Sequence, residues 1–256
     1  MKRLTAIVVT LAAWCTVLAQ GCPFPIFAAP TAEREGLRGQ VKEVEVLESY
    51  FGDGDTIRED TIFMRFNKNG QMLQRNSLWQ DEYPYCDYLY TGGRLDEVKN
   101  WSDFGGVTSQ YSYSDDDCLE QVVVLFYQYD KLIDADTHLI QCDSLCRIVR
   151  EIFRDTLSYT YDAHGNIAVF KGFDGETTYY YDADGKLTKK TGVYPNVRNV
   201  DEYTYNSHGD EESWTTTFTN GKKSQKRYEY TYDSHGNWLT RCDDDGITVR
   251  RITYYD

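Results

Sequence analysis

A short phrase, Tyr-x-Tyr-Asp-x-x-Gly, recurs along this chain and limits its fold more than any other feature. It is clearest from Tyr230 through Asp233 and Gly236 to Trp238, and it returns at Tyr159 to Ile167, Tyr179 to Leu187 and Tyr203 to Asp210. Looser copies run from Met64 to Met72, Tyr88 to Leu95, Tyr111 to Leu119 and Ile140 to Ile148. These eight units place turns at Gly70, Gly93, Asp117, Cys146, Gly165, Gly185, Gly209 and Gly236, spaced 19 to 29 residues apart. A period of that size signals a repeat architecture.

Each unit reads as a β-hairpin. Tyr-x-Tyr alternation is a strand of period two with its aromatics on one face. The Asp or Asn that follows starts a turn through its side-chain oxygen. Gly three residues later suits a positive φ. A hydrophobic residue two positions on resumes the apolar face. No stretch shows a helical period, and the strands are almost free of proline, as ladder hydrogen bonding demands. The expected fold is therefore all-β, a single-layer curved antiparallel meander of about eight hairpins over residues 39–256. Trp79, Trp101, Phe126, Phe173, Tyr194 and Phe218 form a second row, eight or nine residues beyond the turns, expected as an aromatic ladder at the opposite edge. The Tyr-x-Tyr face fills the inside of the curl. Off-phase Tyr180, Trp214 and Tyr255 are the candidate ligand-binding residues on an exposed surface.

The phrase resembles the YD repeat of RHS-type proteins, over roughly residues 60–256. The resemblance implies a wide, curled, single-layer sheet of the kind that encloses a toxin in large members and sits on cell surfaces in isolated arrays. Eight hairpins supply about 16 strands, or about 77 Å of sheet, too little to wrap a cargo domain. Open ends of such a sheet would invite edge pairing into a homodimer unless capped.

The N-terminus reads as an export signal over residues 1–21. Lys2 and Arg3 precede an apolar run from Leu4 to Leu18, and small residues follow. Cys22 in Leu-Ala-Gln-Gly-Cys is the candidate lipidation site of a bacterial lipoprotein; cleavage after Ala19 is the other reading. Residues 22–38 then serve as a tether or edge cap. The expected location is the cell envelope, as an outer-membrane or periplasmic lipoprotein, or the secreted space, with no membrane contact except a lipid anchor. Cleavage after Ala19 leaves six cysteines that could pair fully; lipidation of Cys22 leaves five.

Composition narrows the function further. Lys+Arg total 27 against Asp+Glu 41, a net charge of −14. Unaided nucleic-acid binding is excluded, because phosphate neutralisation needs a basic footprint. No nucleophile elbow, phosphate loop or zinc-protease motif occurs. His164, His208 and His235 share one repeat position, but hairpins lie too far apart for one metal to join them. The acidic turns Asp115–Asp117 and Asp243–Asp245 lack the spacing of a calcium loop. The sequence thus points to a non-enzymatic binding protein, without metal or cofactor, whose sheet meets a glycan or a protein partner. A glycan-acting hydrolase using scattered carboxylates, or a purely structural spacer, is the alternative.

Overall fold

The computed structural model describes residues 27–52, 55–78, 85–102, 105–172, 175–195 and 197–256. Cys22, Trp79 and Phe173 lie outside them. Nineteen antiparallel strands make one sheet, with no helix among the described residues. The first nine are β1 (Val41–Gly52), β2 (Asp55–Phe66), β3 (Met72–Leu78), β4 (Tyr85–Thr91), β5 (Arg94–Ser102), β6 (Gly105–Tyr113), β7 (Leu119–Gln128), β8 (Lys131–Cys142) and β9 (Ile148–Ile152). Next come β10 (Thr156–Tyr161), β11 (Ile167–Gly172), β12 (Gly175–Tyr181), β13 (Leu187–Tyr194) and β14 (Val197–Tyr205). The last are β15 (Glu211–Thr217), β16 (Lys223–Arg227), β17 (Glu229–Tyr232), β18 (Trp238–Asp243) and β19 (Gly246–Tyr254). β16 and β17 are separated by Tyr228 alone.

All eight expected turn positions carry positive φ, from 57° at Cys146 to 90° at Gly165. The Asp or Asn opening the turn works as anticipated. Asp162 Oδ1 accepts from the amides of His164 and Asn166, both at 2.9 Å, and Asp233 Oδ1 does the same for His235 and Asn237. Asp117 and Cys146 hold the left-handed conformation without glycine, which costs roughly 1–2 kcal/mol per residue. Those two adjacent turns are joined by the Cys118–Cys146 disulfide. Cys146 therefore pairs across hairpins.

In four of the units the second tyrosine stitches hairpins together. Tyr113 Oη donates to Leu95 O, Tyr161 to Ile148 O, Tyr181 to Ile167 O and Tyr205 to Leu187 O, at 2.7–2.8 Å. Each acceptor lies two residues past the turn position of the preceding unit. A cation or imidazole from that preceding turn covers several of these rings: Arg147 lies 4.4 Å over Tyr161, and His208 stacks 3.8 Å from Tyr232. His235 likewise stacks on Tyr254. These histidines are thus packing groups, held apart on successive hairpins.

The open meander is corrected by the strand pairing. β1 pairs with β2 on one side and with β19 on the other, so the sheet is barrel-like and its two terminal strands meet. Right-handed twist accumulates strand by strand, and in a wide sheet it brings the edges together. Tyr255 seals the junction: its Oη donates to Phe66 O at 2.6 Å and its amide to Gln40 O. The edges expected for homodimer pairing are therefore occupied by one another.

The interior divides into an apolar and a polar part. One apolar cluster joins Val44, Val46, Met64, Phe66 and Met72 with Ala32 and Leu37 from the N-terminal segment. A second gathers Val122, Phe126, Ile140, Tyr159 and Ile167, with Phe27 packed against it. Residues 27–38 thus supply side chains to the core. Arg38 ties this segment to the last turn, its amide bonding Asn237 Oδ1 at 2.6 Å. The expected aromatic ladder at the far edge does not form. Phe126 is buried in the core, Trp101 packs on Tyr127, and Tyr194 and Phe218 are exposed at strand ends. The ladder fails because a bulge in every repeat, described below, shifts the face on which distal residues fall. The outward face is charged at mid-strand, where Glu45 pairs with Arg251 and Glu43 with Arg65.

Candidate functional site

The polar part of the interior lies on β13–β19 and the end of β1, where strand alternation continues inward with polar side chains. On β1 the buried positions run Val44, Val46, then Glu48; on β19 they include Thr248 and Arg250. Glu48 faces Thr248 across β1–β19, Thr248 faces Arg241 across β18–β19, and Arg241 faces Tyr230 across β17–β18. One level nearer the rim, Tyr50 faces Gly246, and Gly246 faces Asp243. Gly246 is required there, because a Cβ would collide with the Ser49 carbonyl.

These rows enclose a pocket of about 150 Å³ lined by Glu48, Tyr50, Lys226, Tyr228, Arg241 and Asp243, among others. Its charges are mostly committed. Lys226 Nζ lies 2.6 Å from Asp245 and 3.3 Å from Asp243, and the bond to Asp245 first of all raises its pKa. Tyr50 Oη donates to Glu48 Oε2 at 3.1 Å. Deeper, Asp201 accepts from Thr216 Oγ1 at 2.6 Å and Trp214 Nε1 at 3.3 Å, and pairs with Lys190 at 3.4 Å. Glu211 sits in this region with its pKa pushed up to about 7 by burial, against the pull of Arg241 and Lys190. Burial likewise raises the Tyr228, Tyr230 and Tyr203 phenols.

Arginine is treated differently. The Arg241 guanidinium lies 5.4 Å over Tyr228 and 5.5 Å over Trp238. Among the described residues no hydrogen bond or salt bridge claims it. Arg250 presses on the same Trp238 ring at 3.4 Å, is almost wholly buried, and leaves Nε and Nη1 without partners. Burial lowers its pKa to about 9.

The three residues singled out from sequence are not brought together. Tyr180 is exposed on β12, with Lys189 5.5 Å over its ring. Trp214 faces inward, opposite Tyr203 and bonded to buried Asp201. Tyr255 is engaged in closure. Trp214 points inward because the register shifts at the end of the first strand of every unit, between Thr204 and Tyr205 in this one. Glu48, Tyr228, Arg241 and Glu211 went unnoticed. The available signal was polar residues falling in inward phase, as in Val44-x-Val46-x-Glu48-x-Tyr50 and Thr248-x-Arg250. No group of three or more His, Cys, Asp or Glu placed to hold a metal occurs among the described residues.

No family model matches the chain, and no curated protein matches it in sequence. Among solved structures it is similar to a porin-like protein from Bacteroides uniformis, with 10% identity, TM-score 0.47, and coverage of 88% of this chain and 100% of that one. A porin-like protein from Bacteroides vulgatus is similar at 9% identity, TM-score 0.28, covering 84% of this chain and 99% of the other. TcdB2-TccC3-Cdc42 is similar at 14% identity and TM-score 0.39, over 76% of this chain. The chain spans only 12% of that toxin chain. These likenesses carry no information on ligand or activity.

Proposed function

We propose that this is an exported cell-envelope protein that acts by binding, not catalysis, and that its pocket at the rim of the barrel-like sheet takes a sugar. The observation that carries the reading is the meeting of Tyr50 and Tyr228 with hydrogen-bonding charges at one opening. Aromatic rings offer flat apolar area, while the carboxylates, Lys226 and Arg241 supply acceptors and donors for hydroxyls. At about 150 Å³ the space is well below the ~300 Å³ at which drug-sized sites begin, and it suits a single ring or the end unit of a longer glycan. The YD-like hairpins of the sequence act here as scaffold for that opening. Lys2, Arg3 and the apolar run behind them support export. The outward Glu43, Glu45, Arg65 and Arg251 argue against a lipid-facing wall, which needs an apolar band.

Titrating the purified chain against a panel of neutral and charged oligosaccharides tests the binding reading. Saturable binding that weakens in Tyr228→Ala, with the fold retained, is expected. A panel without a single binder would defeat it. Mass spectrometry of the mature N-terminus tests export and shows whether Cys22 is lipidated.

A further inference from the structure

Resting on the sugar-binding reading, we propose that the ligand is an anionic sugar, whose carboxylate, sulfate or phosphate group docks on the Arg241 guanidinium. The geometry leaves that fork as the pocket's open donor. Lys226 is taken by Asp243 and Asp245, and Lys190, deeper in, by Asp201. Arg241 has no such partner, and its guanidinium stands over the Tyr228 and Trp238 rings, 5.4 and 5.5 Å from their centroids. A guanidinium that neighbouring aromatic rings attract keeps its planar fork of donors for an oxyanion, which it can meet with two parallel N–H bonds.

A second positive charge stands behind it. Arg250 lies on the same indole ring, nearly buried, with two nitrogens unpartnered. The Arg241 guanidinium disfavours the charge on Arg250. An anion at Arg241 relieves that repulsion. The acidic residues nearby have partners of their own or are neutral. Asp243 and Asp245 share Lys226, Glu48 accepts from Tyr50, and Glu211, the carboxyl that faces Arg241 electrostatically, is largely protonated below neutrality. The tyrosine rings then take the apolar side of the sugar, so recognition needs both parts of the ligand.

Calorimetric titration of the whole chain decides the matter, with four probes: a galacturonic-acid trisaccharide, its neutral galactose counterpart, a sulfated galactose oligomer and inorganic phosphate alone. An acidic oligomer is expected to bind at least about tenfold more tightly than the neutral one, the weight of one charge-assisted bidentate contact. Arg241→Gln should abolish that preference, and Arg241→Lys should lose most of it although the charge remains. Thermal melting checks that each variant is folded. If Arg241→Gln unfolds, the acidic-to-neutral ratio in the wild type and the Arg241→Lys result still decide. Equal affinity for acidic and neutral sugars, or a preference untouched in both variants, overturns the anion proposal and leaves the sugar-binding reading standing. Phosphate binding as tightly as the acidic oligomers overturns it too, by marking a simple anion site. No binding of any oligomer sinks both.

Discussion

Glu211 offers the sharpest test of how the polar interior is built. Burial raises its pKa from 4.5 to about 7 even though Arg241 and Lys190 pull the other way. The folded state therefore prefers the neutral acid. Below the unfolded value this costs nothing, since the carboxyl is protonated in both states. As pH rises from 4.5 through 7, the unfolded chain ionises first and stability is lost. At about 1.4 kcal/mol per pKa unit, the loss levels off near 3 kcal/mol above neutrality. Glu211→Gln keeps the shape and removes the titration. Urea unfolding at about pH 4 should thus find variant and wild type within about 0.5 kcal/mol of each other, and at about pH 8 the variant should be more stable by about 3 kcal/mol. Other titrating groups, His138 included, are common to both proteins and cancel in the difference. A gap that does not change with pH, or a wild type that is the more stable at pH 8, would refute the argument by showing that Arg241 and Lys190 outweigh desolvation.

Four further outcomes follow from the scaffold. Tyr161→Phe removes the hydroxyl that donates to Ile148 O and should cost about 1 kcal/mol in urea unfolding, with an unchanged circular-dichroism spectrum. Gly185→Ala meets no atom within 4 Å of the new Cβ, so its expected loss of about 1 kcal/mol measures the φ of +79° alone. Reducing Cys118–Cys146, which closes a separation of 28 residues, should lower stability by about 3.5 kcal/mol, read as a shift in the urea midpoint with and without reductant. His138 is packed between Phe27 and Phe153 and its pKa is lowered by burial. Its contribution is present above about pH 6.5 and lost on acidification, so His138→Gln should flatten the acid side of the stability profile.

Much of the strand and turn plan was readable residue by residue, because a turn is a contract between neighbours. An Asp or Asn side-chain oxygen reaches amides two and four positions on, and the residue between those two must tolerate left-handed φ. Gly165, Gly185, Gly209 and Gly236 announce this directly, and the same spacing located Asp117 and Cys146, where no glycine marks the place. The inward pointing of the first aromatic was equally plain: Tyr88, Tyr159 and Tyr203 are buried. The site was not readable in this way. Glu48 and Arg241, 193 positions apart in the chain, line one pocket on either side of β19, and Arg241 carries no local mark of its role.

Sequence by itself determined the local vocabulary of this protein: extended segments of period two and hairpins at fixed phrases. Tertiary structure decided the rest, that β1 would meet β19, that a bulge in the repeat would rotate Trp214 inward, and that Arg241 would form no salt bridge among the described residues. The reason is physical. Backbone turns depend on a few adjacent dihedrals, whereas closure, phase and charge pairing depend on twist and register summed over many strands.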